Sequence, residues 1–400
     1  MTIGPRGFAR RLDLHAVCVT VVALSVSLFS GCSFGPGQLK QGHLAYNTAV
    51  KQAADDELLL NIVRLRYLDS LDFMATTSVT SQLSFAVGLG AAGGRDGGGN
   101  TRLGSAELAY STTPTFSVIP QRGRDFARQL VKPVNVDILT YLIAADWDMN
   151  VLMRLFVREL NDLENELGLP NPQFRRVMEI LSDLQLHNDV FVGFVEQTDV
   201  LSDPVDPTQV SGSDLVEAAR EGFRFRRDRR DDRLVLTVSR PQAIIAFPPG
   251  QPEVAELKRL LDLPSGEQEF FNLEEGTTLN PMQGGYSSIQ VRTRALIGAL
   301  VYLSQGVDVP EAHVEQGLTT AEWPPESPGL NMSDFFRMQV SETAPDAQLA
   351  VQHRGYWFYI PDSDIASRYV FYHLAGLFRL GLSQTAPQEA PVLTLPVGGP

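Results

Sequence analysis

The sequence predicts an α+β fold, with a mostly helical N-terminal half that carries a glycine-tipped β-hairpin and a mixed α+β C-terminal half. Three observations predict it. Apolar residues recur at spacings of three and four over most of residues 125–187, which is typical of helices. They alternate with small polar residues around residues 78–110, which is typical of strands. After residue 214 both patterns occur in turn.

The first elements are a helix and a hairpin. Apolar residues from Val50 to Leu65 fall on one stripe, and a second stripe runs beside it, so this helix is expected to be buried on two sides. Strands are expected around 79–87 and 106–118. They are joined by a tip at 88–99, in which seven of twelve residues are glycine.

Prolines and glycines mark the ends of the following elements. In the N-terminal half, we expect helices at 126–131, 136–145, 149–167 and 172–186, and a strand at 190–195. In the C-terminal half, we expect paired strands at 222–227 and 234–239, a helix at 253–261, a strand near Phe270, a helix at 291–305, strands at Val340, 349–353 and 356–360, and a helix from Ser363 to Leu380.

The domain boundaries follow from composition. The stretch 202–213 is rich in Pro, Asp and Ser and is the best candidate for a boundary between two halves. We therefore predict a signal peptide at 1–31, a lipidated tether at 32–44, a helical domain with the hairpin at 45–201, an α+β domain at 214–382, and a disordered proline-rich tail at 383–400.

The first 31 residues read as an export signal. Three arginines precede an apolar run from Ala16 to Phe29, which at 14 residues is shorter than the roughly 20 needed to span a membrane. The run ends in Leu28-Phe29-Ser30-Gly31-Cys32, which resembles the lipobox of bacterial lipoproteins. We therefore expect cleavage between Gly31 and Cys32 and acylation of Cys32. The alternative is a plain signal peptide with an incidental cysteine.

Cysteine usage favours the lipoprotein interpretation. The chain has two cysteines, Cys18 inside the signal and Cys32 at the cleavage site. The mature chain would therefore keep one thiol and form no internal disulfide, although an exported protein could form them. Two or more acyl chains on one residue anchor a protein stably, whereas a single chain binds marginally. Cys32 is the expected membrane partner through its lipid.

Charge bears on the other partners. The full chain carries a net charge of −14, and removal of the signal, with its three Arg and one Asp, makes the charge −16. Such a charge disfavours nucleic acid as a partner, since nucleic acids reward Lys and Arg. The remaining expected partners are envelope proteins or further copies of the chain.

Four segments are candidate sites, each with a simpler explanation. Gly88–Gly93 has dinucleotide-fingerprint spacing but no helix after it, so we reject it and expect no cofactor. The hairpin could enter a membrane, although a soluble hairpin is favoured. Arg220–Arg233 has seven Arg among acids and is read as a solvated turn. The aromatic run 353–360 before Asp362 and Asp364 could bind sugar rings, although a buried strand is favoured.

Enzyme motifs are absent from the sequence. His187, His313, His353 and His373 are far apart, and neither His-Glu-x-x-His nor Gly-x-Ser-x-Gly occurs, so we name no catalytic residue and expect no metal. Two acidic pairs, Asp146 with Asp148 and Asp203 with Asp206, are of a kind common on surfaces. A site assembled from distant residues would not be visible at this level.

Four segments of the chain carry a resemblance to known proteins: Leu58–Arg64, Phe126–Leu130, Tyr302–Val307 with Val309-Pro310, and Arg354–Tyr359. Together they resemble a group of uncharacterised proteobacterial outer-membrane lipoproteins with no known activity. The resemblance spans most of the mature chain and implies a Gram-negative source. Ser33, rather than Asp, after the cysteine resembles the outer-membrane sorting pattern.

The leading functional hypothesis is therefore a lipid-anchored, periplasm-facing outer-membrane lipoprotein that serves as a non-enzymatic scaffold or accessory subunit of a cell-envelope complex. One alternative is a periplasmic glycan- or peptidoglycan-acting enzyme that uses Asp362 or Asp364 beside the aromatic strand. The other is an oligomeric pore subunit built on the 78–110 hairpin.

Overall fold

A computed structural model of the protein describes residues 34–94, 101–121, 124–166, 171–228, 232–266, 270–276, 286–321, 332–382 and 393–396. The described chain divides into two compact units. The first contains the chain up to Asp55, residues 78–117 and the end of the chain from Thr394. The second contains residues 56–77 and 118–393. The fold is α+β, as the sequence predicts.

The helices, in chain order, are α1 (Phe34–Arg66), α2 (Arg124–Val131), α3 (Val136–Ala144), α4 (Met149–Phe156), α5 (Pro172–Leu186), α6 (Gly212–Arg220), α7 (Pro252–Leu260), α8 (Leu296–Ser304), α9 (Glu311–Glu315) and α10 (Ile365–Leu382). Short 3₁₀ turns lie at Pro207–Gln209 and Met332–Asp334.

The strands, in chain order, are β1 (Met74–Gly94), β2 (Thr101–Pro120), β3 (Val157–Leu160), β4 (Leu163–Glu164), β5 (Phe191–Val200), β6 (Phe223–Arg227), β7 (Leu234–Ala246), β8 (Phe270–Glu275), β9 (Ile289–Thr293), β10 (Gln339–Ser341), β11 (Leu349–His353), β12 (Tyr356–Ile360) and β13 (Leu393–Pro396).

The described residues form three sheets. In the first unit β2 lies between β1 and β13. In the second unit a seven-stranded sheet has the order β4-β3-β9-β8-β7-β5, with β6 also paired to β7. A small sheet of order β10-β12-β11 completes that unit. The β8–β9 pair is parallel, whereas β5–β7 and β11–β12 are antiparallel.

Local sequence explains where several helices begin. The side chains of Asn135, Asp148 and Asn171 accept hydrogen bonds from the first-turn amides of α3, α4 and α5, which satisfies donors that have no partner inside a helix. Pro172 starts α5, where its missing N–H costs nothing. Apolar residues of these helices then form one buried cluster with the helix-covered face of the large sheet.

The structure corrects two predicted helices. The helix expected at 149–167 ends at Phe156, and the chain continues as β3. The helix expected at 291–305 begins only at Leu296, since its first residues belong to β9. The two misassigned pieces pair with each other, with Leu160 opposite Val291. Their short apolar runs suit a helix or a strand equally, and the pairing partner, more than 100 residues away, decides between them.

The predicted boundary at 202–213 lies between two strands that pair with each other. β5 and β7 lie on opposite sides of the predicted boundary at 202–213, yet they pair along ten consecutive positions from Phe191↔Ala246 to Val200↔Thr237. From Phe34 onward, the segment expected as a tether at 32–44 belongs to α1. Pro36 falls in the first turn of this helix, where helices tolerate proline. Of the expected tail, residues 393–396 form β13 and the others lie outside the described residues.

Candidate functional site

The lipidation site falls outside the described part of the chain. Gly31, Cys32 and residues 95–100 are not among the described residues, whereas residues 88–94 of the expected hairpin tip belong to β1. Gly88–Gly93 lies inside β1, and the next described element is the strand β2. The glycines are therefore followed by a strand and not by the helix that a dinucleotide fingerprint needs. The lipidation of Cys32 therefore remains a prediction.

Part of the arginine-rich segment lies in β6, and residues 229–231 lie outside the described residues. β6 and β7 pair antiparallel, with Arg227 opposite Leu234, as predicted. The Arg227 guanidinium donates to both carboxylate oxygens of Asp232, at 2.7 and 2.8 Å. Both side chains are mostly exposed. Arg227 is therefore paired with an acid at the exposed end of β6.

The aromatic run forms β12, and its centre is core. Phe358 and Ile360 are fully buried, and Tyr356, Trp357 and Tyr359 are half-buried. The acids that follow have structural partners. Asp364 accepts hydrogen bonds from the amide and hydroxyl of Ser367 in the first turn of α10, where a carboxylate is favoured.

Asp362 accepts a hydrogen bond from the amide of Gln348 at 3.3 Å. Asp362 and Asp364 do not line the cleft around Phe247 and Val254 or the cleft around Asp69 and Phe73. Both acids therefore have hydrogen-bond partners within the fold, and a glycan-acting site built on them stays a hypothesis.

The structure instead assembles a polar cluster that the sequence did not indicate. We call it the Tyr67 cluster, and it comprises Tyr67, Asp69, His313, His353 and Arg354. The Tyr67 hydroxyl is 2.7 Å from Nδ1 of His313, and both residues are buried. Nε2 of His353 lies 3.1 Å from Asp69, and Arg354 donates to the same carboxylate at 2.9 Å.

Three elements bring these residues together. Tyr67 and Asp69 follow the end of α1, where Leu68 takes a positive φ of 57°. His353 ends β11, and Arg354 is the first residue of the turn to β12, again with positive φ. His313 lies in α9. The rings of His313 and His353 both meet the Tyr67 ring edge-on, at centroid distances of 5.5 and 5.2 Å.

Burial determines the protonation of the cluster. Desolvation raises the pKa of Tyr67 to about 12, so its hydroxyl keeps its proton. Desolvation also lowers the pKa of His313 and, despite the opposing effect of Asp69, the pKa of His353. The Tyr67 hydroxyl therefore donates to a neutral His313, which carries its own proton on Nε2.

The bonds of the cluster run between its own members, which indicates a structural role that joins α1, α9 and the β11–β12 turn. Arg66 extends this junction. Its guanidinium is buried and donates to the Thr319 hydroxyl and to the carbonyls of Thr320 and Ala321. Among the described residues, no three His, Cys, Asp or Glu side chains are placed to hold a metal ion.

A cleft of about 650 Å³ lies beside the cluster. Asp69 belongs to both, and the other polar residues of the cleft include Arg64, Asp72 and Gln121. This cleft lies at the root of the hairpin, where the amide of Gln121 donates to the carbonyl of Phe73 at 2.7 Å. The lining mixes charges of both signs, so it does not select a ligand of one charge.

The hairpin root is held by two side chains of α1. The fully buried Asn61 donates to the carbonyl of Asp72 and accepts from its amide, at 2.8 and 3.2 Å. Glu57 accepts from the amide of Met74 at 2.8 Å. Desolvation, with a contribution from Asp72, raises the pKa of Glu57 to about 7.

Comparison with known proteins adds no assignment. No family model, no curated protein and no solved structure matches the chain. Within the described residues, no helix is long and apolar enough to cross a membrane. Sequence reasoning missed the Tyr67 cluster because Tyr67 and His313 are 246 residues apart. The only local sign was a histidine directly before the Arg354-Gly355 turn.

Proposed function

We propose that the protein is a lipid-anchored outer-membrane lipoprotein that faces the periplasm and serves as a non-enzymatic scaffold or accessory subunit of a cell-envelope complex. The export signal and the cysteine usage support the anchor, because Cys32 would be the one thiol left after cleavage. The resemblance to proteobacterial lipoproteins and Ser33 after the cysteine support the outer membrane as its location.

The observation that carries the accessory role is the length of the hairpin strands. β1 has 21 residues and β2 has 20, against five or six for an ordinary strand. At about 3.3 Å per residue, each extends over roughly 65 Å. β13 pairs with β2 and has only four residues, so among the described strands most of this sheet is a two-stranded ribbon.

Such a ribbon favours a binding role. A two-stranded hairpin is marginally stable alone in water, and unpaired strand edges are templates for another chain. Residues 74–94 contain no charged residue, so β1 lacks the lysines that commonly protect an edge. A partner that adds to this ribbon would satisfy its backbone groups, which is what an accessory subunit of a larger complex requires.

The anchor is tested by Cys32→Ala. We expect the variant to leave the membrane fraction for the soluble fraction, provided that export continues by another cut. Persistent membrane attachment would mean that the body of the protein binds membrane without the lipid, and it would contradict the anchor.

The accessory role is tested by a photoreactive amino acid placed at Ser84 in β1, in the native membrane. We expect a cross-link to an envelope protein from this position and none from the control position Glu217, an exposed residue of α6. Adducts from both positions, or from neither, would contradict a specific role of the hairpin.

A second candidate is an oligomeric pore subunit built on the 78–110 hairpin. The observation that favours it is that both strands exceed the 9–11 residues that a membrane-crossing strand needs, with apolar and small polar residues alternating in sequence. The purified protein would then form an SDS-resistant oligomer that heat dissociates, and it would release dye from liposomes. A protein that forms no such oligomer would exclude this function.

A further inference from the structure

The margins of the seven-stranded sheet differ from one another. β4 has two residues and β6 has five, of which Arg224, Arg226 and Arg227 are exposed. Short strands and exposed charges are two ways in which proteins protect sheet edges. The third margin, β5, has ten residues. It contains no Lys or Pro, and its register with β7 has no bulge.

The β5 edge also exposes apolar side chains on one face. Phe191 is 58% exposed and Val195 is 41% exposed. Gly193, between them, has room for the Phe191 ring, since a Cβ on Gly193 would lie 2.7 Å from Cζ of Phe191. Phe191, Gly193 and Val195 therefore share one face of the strand, and this face borders the open edge.

The other face of the edge is apolar as well. The ring of Phe194 stacks against Tyr141 of α3, with ring centroids 4.2 Å apart. Tyr141 is 58% exposed. Within the described chain, a long unpaired backbone edge thus has large apolar side chains on both faces, which is the combination that strand addition uses.

We propose that β5 pairs antiparallel with β5 of a second copy of this chain, about a two-fold axis at Gly193. In this register Phe191 of each copy faces Val195 of the other, and Val192 faces Phe194. Gly193 faces itself. A large residue is thus opposite a smaller one on both faces, and five consecutive pairs are free of charge.

The charges of β5 favour a second copy of the chain as the partner, in this register. With the axis at Gly193, Glu196 faces Val190 and Asp189 faces Gln197, so no acid faces an acid. With the axis one residue further along, Asp189 would face Asp199, and like charges directly opposite each other are destabilising. The sequence of β5 is therefore self-complementary about Gly193. This pairing does not depend on the lipid anchor or on the hairpin.

The register is tested by disulfide trapping in the full chain with Cys18→Ser and Cys32→Ser, which removes both native thiols. Phe191→Cys together with Val195→Cys is expected to give a disulfide-linked dimer on oxidation. Within one chain the two positions are about 13 Å apart, too far for an internal disulfide. Each single variant should stay monomeric on a non-reducing gel, whereas a mixture of the two should cross-link.

The edge itself is tested by Val195→Lys, with Val216→Lys on α6 as the matched control, since both valines are exposed. Sedimentation equilibrium should show a dimer for the parent chain and for the control, and at least tenfold weaker association for Val195→Lys. At a protein concentration low enough for the parent to be monomeric, all three chains should unfold at the same urea concentration, because dimerisation would otherwise stabilise the folded state. A parent chain that is monomeric would overturn the proposal, and a different protein would then be the candidate partner of the β5 edge. Equal association of both variants, or equal cross-linking of the single cysteines, would also overturn it.

Discussion

The hydrogen bond between Tyr67 and His313 allows a direct test of how the Tyr67 cluster stabilises the second unit. Tyr67→Phe removes the hydroxyl and keeps the ring that packs against His313, His353 and Phe358. The variant leaves Nδ1 of His313 buried without its donor. An unpaired buried polar group costs about 1–3 kcal/mol, so we expect the free energy of unfolding to fall by about 2 kcal/mol.

Urea unfolding at pH 8, where His313 and His353 are neutral, measures this change in the free energy of unfolding. Tyr356→Phe is the matched control, because Tyr356 is half-buried and no hydrogen bond of its hydroxyl is found in the described chain. We expect the control to change the free energy of unfolding by less than about 0.5 kcal/mol.

A double-mutant cycle then isolates the bond. His313→Phe should also destabilise the protein, because it leaves the Tyr67 hydroxyl without its acceptor. The double variant should lose less than the sum of the two single losses, since neither polar group remains. A coupling energy below about 0.5 kcal/mol, or equal losses for Tyr67→Phe and Tyr356→Phe, would refute the assignment of this bond.

Three further predictions concern pH and the hairpin root. Burial lowers the pKa of His313 below 6.5, so the contribution of neutral His313 to the free energy of unfolding is full above pH 6.5 and is lost as the pH falls through the lowered value. Chemical unfolding from pH 8 to pH 4 should show this loss of stability. The loss should be smaller in the His313→Phe variant. Asn61→Ala removes both hydrogen bonds to the backbone of Asp72 and should cost about 2–4 kcal/mol in urea unfolding, whereas an unchanged midpoint would contradict the buried contact. Glu57 has the opposite pH dependence, because its pKa is raised to about 7. Protonated Glu57 contributes its full stability below pH 4.5, and this contribution is lost as the pH rises through 7. Glu57→Gln should therefore be more stable than the parent at pH 9 and equal to it at pH 4.5, and equal stability at both pH values would contradict the shift.

Elements with strong local signals were predicted well. The helix at 172–186 has a proline start, an asparagine cap and apolar residues three and four apart, and the structure has it at the same residues. The hairpin of β11 and β12 was predicted at its observed bounds, because Arg354-Gly355 supplies two positive φ angles that a tight turn demands. In such cases the local free energy and the tertiary structure favour the same conformation.

Elements with ambiguous signals were assigned by distant partners. The residues of β3 and β9 fit a helical pattern, yet they pair with each other in the large sheet. The predicted boundary at 202–213 has the composition of a linker, but it is a connection within one sheet. Composition describes the solvent exposure of a segment, and it carries no information about which strands lie on its two sides.

The sequence by itself determined the α+β class, the bounds of several helices and of the β11–β12 hairpin, and the expectation of a lipid on Cys32, because each rests on residues that are neighbours along the chain. Only the tertiary structure decided which residues form polar contacts. Asp362 and Asp364 were the acids singled out, yet the acid that contacts a histidine of the Tyr67 cluster is Asp69. The physical reason is that hydrogen bonds act over about 3 Å, and folding alone brings residues from α1, α9 and the β11–β12 turn within that distance.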